Sequence, residues 1–301
     1  MSRLVRSSAA RFFILIAGMV LFVFLAVFVL TSLSGKQGAG PVALSGDRIG
    51  VVEVKGVILE SKRILESLKT FAGDKSVKGI VIRIDSPGGA VAPSQEIYSA
   101  LMKIHEKGEK KVVASFGNVA ASGGYYIAAA ADQIVTNAGS ITGSIGVIME
   151  MTNIEELLDK VGVESYAVKS GEFKDIGSVT RPMTPRERQI IQSVIDDVYM
   201  QFVEDVAKGR NMEVAKVKQL ANGSVFSGRQ ALGLGLVDKI GTFQDAVAVA
   251  AELAGIEGEP RLLYEKKERL PWFDYVAHTM MRHLFQSNTK TSVSPLLYLM
   301  Q

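Results

Sequence analysis

The chain has 301 residues, 48% of them hydrophobic, and its 34 basic and 31 acidic side chains leave a net charge of +3. That length allows one or two domains with a full core, while so mild a charge, with no Lys/Arg stripe interleaved with aromatics, argues against nucleic acid as a partner. Cysteine is absent, which excludes disulfides, thiolate catalysis and cysteine-based metal sites and suits an oxidising compartment.

The first element in chain order is an uninterrupted apolar run from Phe12 to Leu30. At about 1.5 Å per residue a helix of this length spans roughly 30 Å of hydrocarbon, and backbone groups in lipid require a helix. Arg3, Arg6 and Arg11 precede the run, and Lys36 is the only basic residue shortly after it. This asymmetry predicts a single-pass anchor in the cell (inner) membrane, with a cytoplasmic N-terminus and an extracytoplasmic remainder. A cleaved signal peptide is the competing reading, but its apolar core is normally shorter and a small-x-small site should follow.

Thr31 to Gly46 is rich in Gly and Ser and reads as a juxtamembrane linker. Beyond it, short β-branched runs at Ile49–Val54, Gly79–Ile84, Lys111–Ser115, Gln133–Thr136 and Tyr166–Val168 alternate with helical patterns at Ser61–Phe71, Val91–His105, Ala121–Ala131 and Asn153–Val161. Buried strands separated by helices predict parallel pairs and an α/β domain. Thr184-Pro185-Arg186-Glu187 supplies an N-cap, a proline at the first helical position and a glutamate three residues on, so a long helix should run from there to about Lys208. Further helices are predicted at Val214–Leu220, Gly228–Leu232 and Phe243–Leu253. The chain thus divides into an anchor (1–31), a linker (32–46), the α/β domain (47–258) and a C-terminal tail (259–301). In the tail, Phe273, Val276, Met280 and Leu284 fall on one helical face, either for packing or for a membrane surface.

Three Gly/Ser-rich stretches end predicted strands, where open α/β sheets place their sites. Asp85-Ser86-Pro87-Gly88-Gly89 offers either a tight strand–helix turn or free N–H groups for an oxyanion. Ala121-Ser122-Gly123-Gly124-Tyr125-Tyr126 puts a serine among small residues at the opening of an apolar helix. That serine is either a nucleophile approached closely by substrate or a structural N-cap, and Ala120 departs from the Gly-x-Ser-x-Gly elbow. The third stretch runs from Gly143-Ser144-Ile145-Gly146-Val147, a glycine-flanked strand, to Lys169 and Lys174 in a loop. The only histidines are His105, His278 and His283, none of them in a glycine-rich loop. A Ser-His-Asp triad is therefore poorly supported, and a hydrolase using Ser122 would need another base, for which lysine is the available residue.

These stretches, together with Ser170-Gly171-Glu172-Phe173-Lys174-Asp175, resemble in order and spacing the signal peptide peptidase A family, in its short single-domain form, over about Asp47 to Leu253. The resemblance implies a Clp protease/crotonase-like α/β spiral and a serine endopeptidase that degrades remnant signal peptides and other membrane-associated polypeptides. It further implies a homo-oligomer, whose Ser and Lys can come from adjacent subunits. Carried over residue by residue, the nucleophile is Ser122 and the general base Lys174, with Gly89 and Gly123 as oxyanion donors and Ser144 orienting the lysine. No metal or other cofactor is implied. A lysine is a base only when neutral, and its ordinary pKa is about 10.4, so the site must depress it by desolvation; Asp175 would oppose this and is expected to point elsewhere. A non-catalytic membrane scaffold on the same fold, or a crotonase-like acyl-CoA enzyme, are the alternatives. An extracytoplasmic domain lies away from CoA.

Overall fold

Strands whose two faces are both apolar organise the domain. In this computed structural model, which describes residues 47–265 and 297–299 together with 18, 19, 21 and 22, β1 (Arg48–Lys55), β2 (Val77–Ser86) and β4 (Lys111–Ala121) run side by side and parallel. Side chains alternate across a strand. Val52, Val54, Ile80, Ile82, Ile84, Val112, Ala114 and Phe116 therefore face one way, and Ile49, Val81 and Val113 face the other. The first face is covered by α1 (Lys62–Gly73), α2 (Val91–Lys107), α3 (Gly123–Ala128) and the long α5 (Pro185–Arg210). The second is covered by α8 (Phe243–Leu253) through Ala246, Val247, Val249 and Ala250. Helices on both faces are the usual condition for a parallel sheet.

The full strand order is β7 (Val225–Ser227), β6 (Ile141–Gly143), β4, β2, β1, β9 (Arg261–Tyr264), with β5 (Gln133–Thr136) branching from β4 and β8 (Lys239–Ile240) pairing with β5. The branch arises because β4 divides its outer edge. Val113–Ser115 pairs with β5 (Gln133–Thr136), and Val119–Ala121 pairs with β6 (Ile141–Gly143), both in parallel. Between the two halves lies a register shift opposite Ile84 and Ser86. Asp85 holds it: its Oδ1 accepts from the N–H groups of Asn118 (3.0 Å) and Val119 (3.2 Å). Gly117 leaves room for that carboxylate, since a Cβ there would lie 2.6 Å from Asp85 Cγ. The bulge carries the end of β4 out of the main ladder.

The predicted helix start at Thr184 is present as a complete capping box with Pro185 behind it. Ser227/Gln230 and Thr242/Asp245 cap α7 (Gly228–Leu234) and α8 in the same way. Two strand expectations are corrected. Tyr166–Val168 is not a strand: Tyr166 and Val168 are 89% and 97% exposed, and β-forming residues with no edge to pair with have nothing to hold them extended. The strand expected at Gly143–Val147 ends at Gly143 instead. Residues 261–264, read as tail, form β9 (Arg261–Tyr264) alongside β1. Strands β7 and β8 complete this sheet, and β3 (Gly88–Ala90) lies outside it.

Among the described residues no helix is long and apolar enough to cross a membrane. The predicted anchor lies outside them except for Gly18, Met19, Leu21 and Phe22, which are helical. The linker and the tail face Phe273, Val276, Met280 and Leu284 also lie outside.

Candidate active site

Because β2, β4 and β6 are parallel, all three glycine-bearing stretches emerge at one end of the sheet, their carboxyl end. Ser122 follows β4 directly and caps α3. Its N–H donates to Gly143 O at 2.8 Å, so the turn carrying Ser144 lies beside it. On the other side, Ser86 pairs with Ala120, and a Cβ on Gly124 would lie 3.0 Å from Ser86 O. The structure thus brings Ser122, Gly123, Ser144 and the Ser86–Gly89 turn together.

Backbone strain singles out the same residues. Among the described residues three non-glycines have positive φ: Ser122 (52°), Ser144 (50°) and Asn211 (49°). Asn211 is the left-handed cap of α5, an ordinary helix ending. The two serines have no such excuse. With ψ at −120°, Ser122 occupies a region costing on the order of 1–3 kcal/mol for a side-chain-bearing residue. Its Oγ is buried and has no hydrogen-bond partner among the described residues, Lys174 included. A structural cap serine would instead spend its hydroxyl on the helix N–H groups, and Ser122 makes no such bond.

The helix behind Ser122 is tied down firmly. Tyr125 OH donates to Leu236 O at 2.8 Å, Tyr126 OH donates to the Asp205 carboxylate, and the Tyr126 ring packs against Tyr98 and Phe202. Burial pushes the Tyr98 hydroxyl well above its ordinary range, with the Asp205 and Glu106 carboxylates adding to the effect. Helix α5 approaches α3 through Gly209, where a Cβ would fall 2.0 Å from Ala129 O. Gly209→Ala is expected to cost about 1–3 kcal/mol by overpacking against backbone, read as a lower denaturant midpoint at unchanged m-value.

Gly89 lies in β3, bridged to Ile58. Ile58 N donates to Gly88 O (2.9 Å), and Ala90 N donates to Ile58 O (2.7 Å). Successive N–H groups of a strand face opposite sides, so Gly89's own N–H is directed away from Ile58. On that side β10 (Leu297–Leu299) runs antiparallel, with Tyr298 opposite Gly89.

Lys174 is not brought to Ser122. It is exposed, on an arm (149–183) whose helix α4 (Glu155–Val161) buries none of its residues. Leu157, Val161, Val163, Tyr166 and Val168 are all about half exposed or more, from 49% to 97%. The carboxylate of Asp175 is occupied elsewhere: Oδ1 accepts from Lys169 Nζ (2.5 Å) and Oδ2 from Arg181 Nε (2.9 Å). The expectation that it would not face Lys174 agrees with these bonds. Two residues with organising roles, Asp85 and Arg181, were not singled out from the sequence. Asp85 opens the Asp85–Gly89 stretch, whereas Arg181 belongs to no motif.

The described histidine is remote from the serine. His105 pairs with Asp132 (3.1 Å), which also accepts from Val112 N at the start of β4. Ser122 lies past the far end of that strand, on the order of 30 Å along it. His278 and His283 fall outside the described residues.

A parallel α/β sheet with a strained, unpartnered serine at a strand-to-helix turn defines the class, a serine-type peptidase on a Clp protease-like fold, and residues 53–139 match the Clp protease family. Residues 104–257, half of the chain, match Peptidase family S49. The chain is 52% identical over 212 residues to "Putative protease slr0021" of Synechocystis, covering 70% of this chain and 76% of that one. It is 39% identical over 216 residues to "Putative signal peptide peptidase SppA" of Enterococcus faecium (67% and 62% covered). To "Protease 4" of Salmonella typhi it is 36% identical over 222 residues, 71% of this chain but only 36% of that one. The chain belongs to peptidase family S49.

Proposed function

We propose that the protein is a membrane-anchored Ser/Lys-dyad endopeptidase that degrades remnant signal peptides and other membrane-associated polypeptides. The observation that carries this reading is Ser122, with its positive φ and its buried, unpartnered Oγ. A scaffold would have no use for strain held at this one hydroxyl. The apolar run Phe12–Leu30 serves as the anchor and leaves the catalytic domain outside the cytoplasm.

Lys174 is the base. Neutral Lys174 Nζ takes the proton from Ser122 Oγ as Oγ bonds to the scissile carbonyl carbon. The carbonyl oxygen becomes an oxyanion that accepts from the N–H groups of Gly89 and Gly123. The C–N bond then breaks, the lysine ammonium returns its proton to the leaving amine, and water releases the acyl group by the same steps. Ser144, beside Ser122 through the Gly143 turn, orients the amine. Since Ser122 Oγ meets no lysine among the described residues and Lys174 rides an exposed arm that carries exposed apolar side chains, the amine comes from a neighbouring copy in a homo-oligomer. Exposed apolar side chains in such numbers suit burial against a second subunit.

The substrate enters as an added strand. Main-chain pairing along β3 would hold an extended peptide antiparallel, with its carbonyl at the Gly89 N–H, and β10 occupies that edge. Deleting residues 295–301 is therefore expected to lower KM for an extended peptide several-fold with little change in kcat. The reading itself is tested on the full chain in detergent, with a fluorogenic peptide and a serine-directed fluorophosphonate. The expected adduct maps to Ser122 by mass spectrometry and abolishes turnover. Turnover that persists without an adduct, or an adduct on another serine, would overturn it.

A further inference from the structure

Lys174 is bracketed in sequence by two acids, Glu172 and Asp175, and a carboxylate beside an amine favours its charged form. A base must be neutral, so the chain has to dispose of both. Each is paired with an arginine, and Asp175 with Lys169 as well. Glu172 pairs with Arg186 at 3.3 Å, but both are more than 60% exposed, which makes that pair weak.

Asp175 is held differently. Arg181 Nε donates to its Oδ2 (2.9 Å), and Nη2 donates to its main-chain oxygen (3.3 Å). The other side of the same guanidinium grips Glu187, with Nη1 donating to Oε2 at 2.9 Å and Nη2 to Oε1. Glu187 is itself only 2% exposed and fixed, because Oε2 accepts from Thr184 N (2.8 Å) in the capping box of α5. The guanidinium is thus a rigid link between the domain's longest helix and the residue next to Lys174. Such a planar fork holds a carboxylate in one direction, which an ammonium does not.

Building on the assignment of Lys174 as base, we infer that Arg181 is a positioning residue that keeps the Asp175 carboxylate away from the Lys174 amine, so that the amine is available to accept a proton. The electrostatics agree. Arg181 first, then Lys169, hold the Asp175 carboxyl well below the usual carboxylate range, and Arg181 followed by Thr184 lowers Glu187 to about 2. Asp175 therefore stays an anion throughout the working range and can only be restrained, not neutralised. The charged groups around the lysine turn are Lys169, Glu172 and Arg181 on the arm, with Arg186, Glu187 and Arg188 from α5. Asp175 is the one acid among them both adjacent to Lys174 and firmly held.

The sign follows directly. Releasing Asp175 stabilises the lysine ammonium, so more alkaline solution is needed to obtain the neutral amine. In Arg181→Met the acid limb of the kcat/KM profile is expected to move up by about one pH unit or more. Adding Asp175→Asn should bring the limb back, because the freed anion is gone, and Arg181→Lys should lie between. An arginine that merely braces the arm would lower activity at every pH without moving the limb, and Asp175→Asn would not rescue it. An unmoved limb in Arg181→Met, or the same displaced limb in the double variant, overturns the inference. Should Arg181→Met not fold, Arg181→Lys with and without Asp175→Asn decides the matter. Lys174→Ala in the same assay keeps the two readings apart: if it retains turnover, the lysine assignment fails whatever Arg181 does.

Discussion

Ser122→Ala and Lys174→Ala are each expected to lower kcat/KM on a peptide substrate by about 10³–10⁴-fold, equivalent to roughly 4–5.5 kcal/mol of transition-state stabilisation. The two losses should not add, because nucleophile and base act as one unit and the double variant should be no worse than either alone. Lys169→Ala is the informative comparison. Its amine is bonded to Asp175 at 2.5 Å and is therefore spoken for, so its loss should cost well under tenfold. Ser122→Ala should also fold at least as stably as wild type, since the substitution removes a buried hydroxyl that makes no hydrogen bond. Mixing the two inactive variants separates the arrangements. With the dyad shared between copies, a random equal assembly pairs an intact serine with an intact lysine at about a quarter of sites, and activity returns to that level. With the dyad inside one chain, mixing restores nothing.

How much of this could be read from the sequence depends on which forces each element needs. The strands at Ile49–Val54, Gly79–Ile84 and Gln133–Thr136 were legible because their β-branched runs are buried on both faces and need no partner-specific information to be recognised. The start of α5 was legible because a capping box is a local bond pattern. Strands β3, β6, β7 and β8 are two or three residues long, and nothing local marks a strand that short. Their extension is imposed by the edge they join. The arm misled for the converse reason: Tyr166–Val168 has the composition of a strand but no edge to join among the described residues. At the site, the glycine and serine stretches are visible in the sequence, yet the positive φ of Ser122 and Ser144 exists only in the folded backbone. Asp85 and Arg181 act across the fold, on β4 and α5 respectively, and no spacing announces such a role.

Gly89 offers a second large effect, by a different route from the nucleophile. A methyl group there would lie 2.1 Å from Ile58 O and 2.5 Å from Ile58 N. Both are backbone atoms and cannot rotate aside, so the bridge between Ile58 and β3 would have to open. Opening it displaces the Gly89 N–H, and losing one oxyanion donor costs about 10²–10³-fold in kcat. Gly89→Ala is therefore expected to fall in that range while still reacting slowly with a fluorophosphonate, since Ser122 and its base are untouched. Gly73→Ala, where a Cβ meets nothing within 4 Å, should leave kcat unchanged and controls for the substitution type. A Gly89→Ala enzyme with near-normal kcat would show that the N–H on this edge does not meet the oxyanion. The donor would then have to be sought beside Ser122 alone, at the opening of α3.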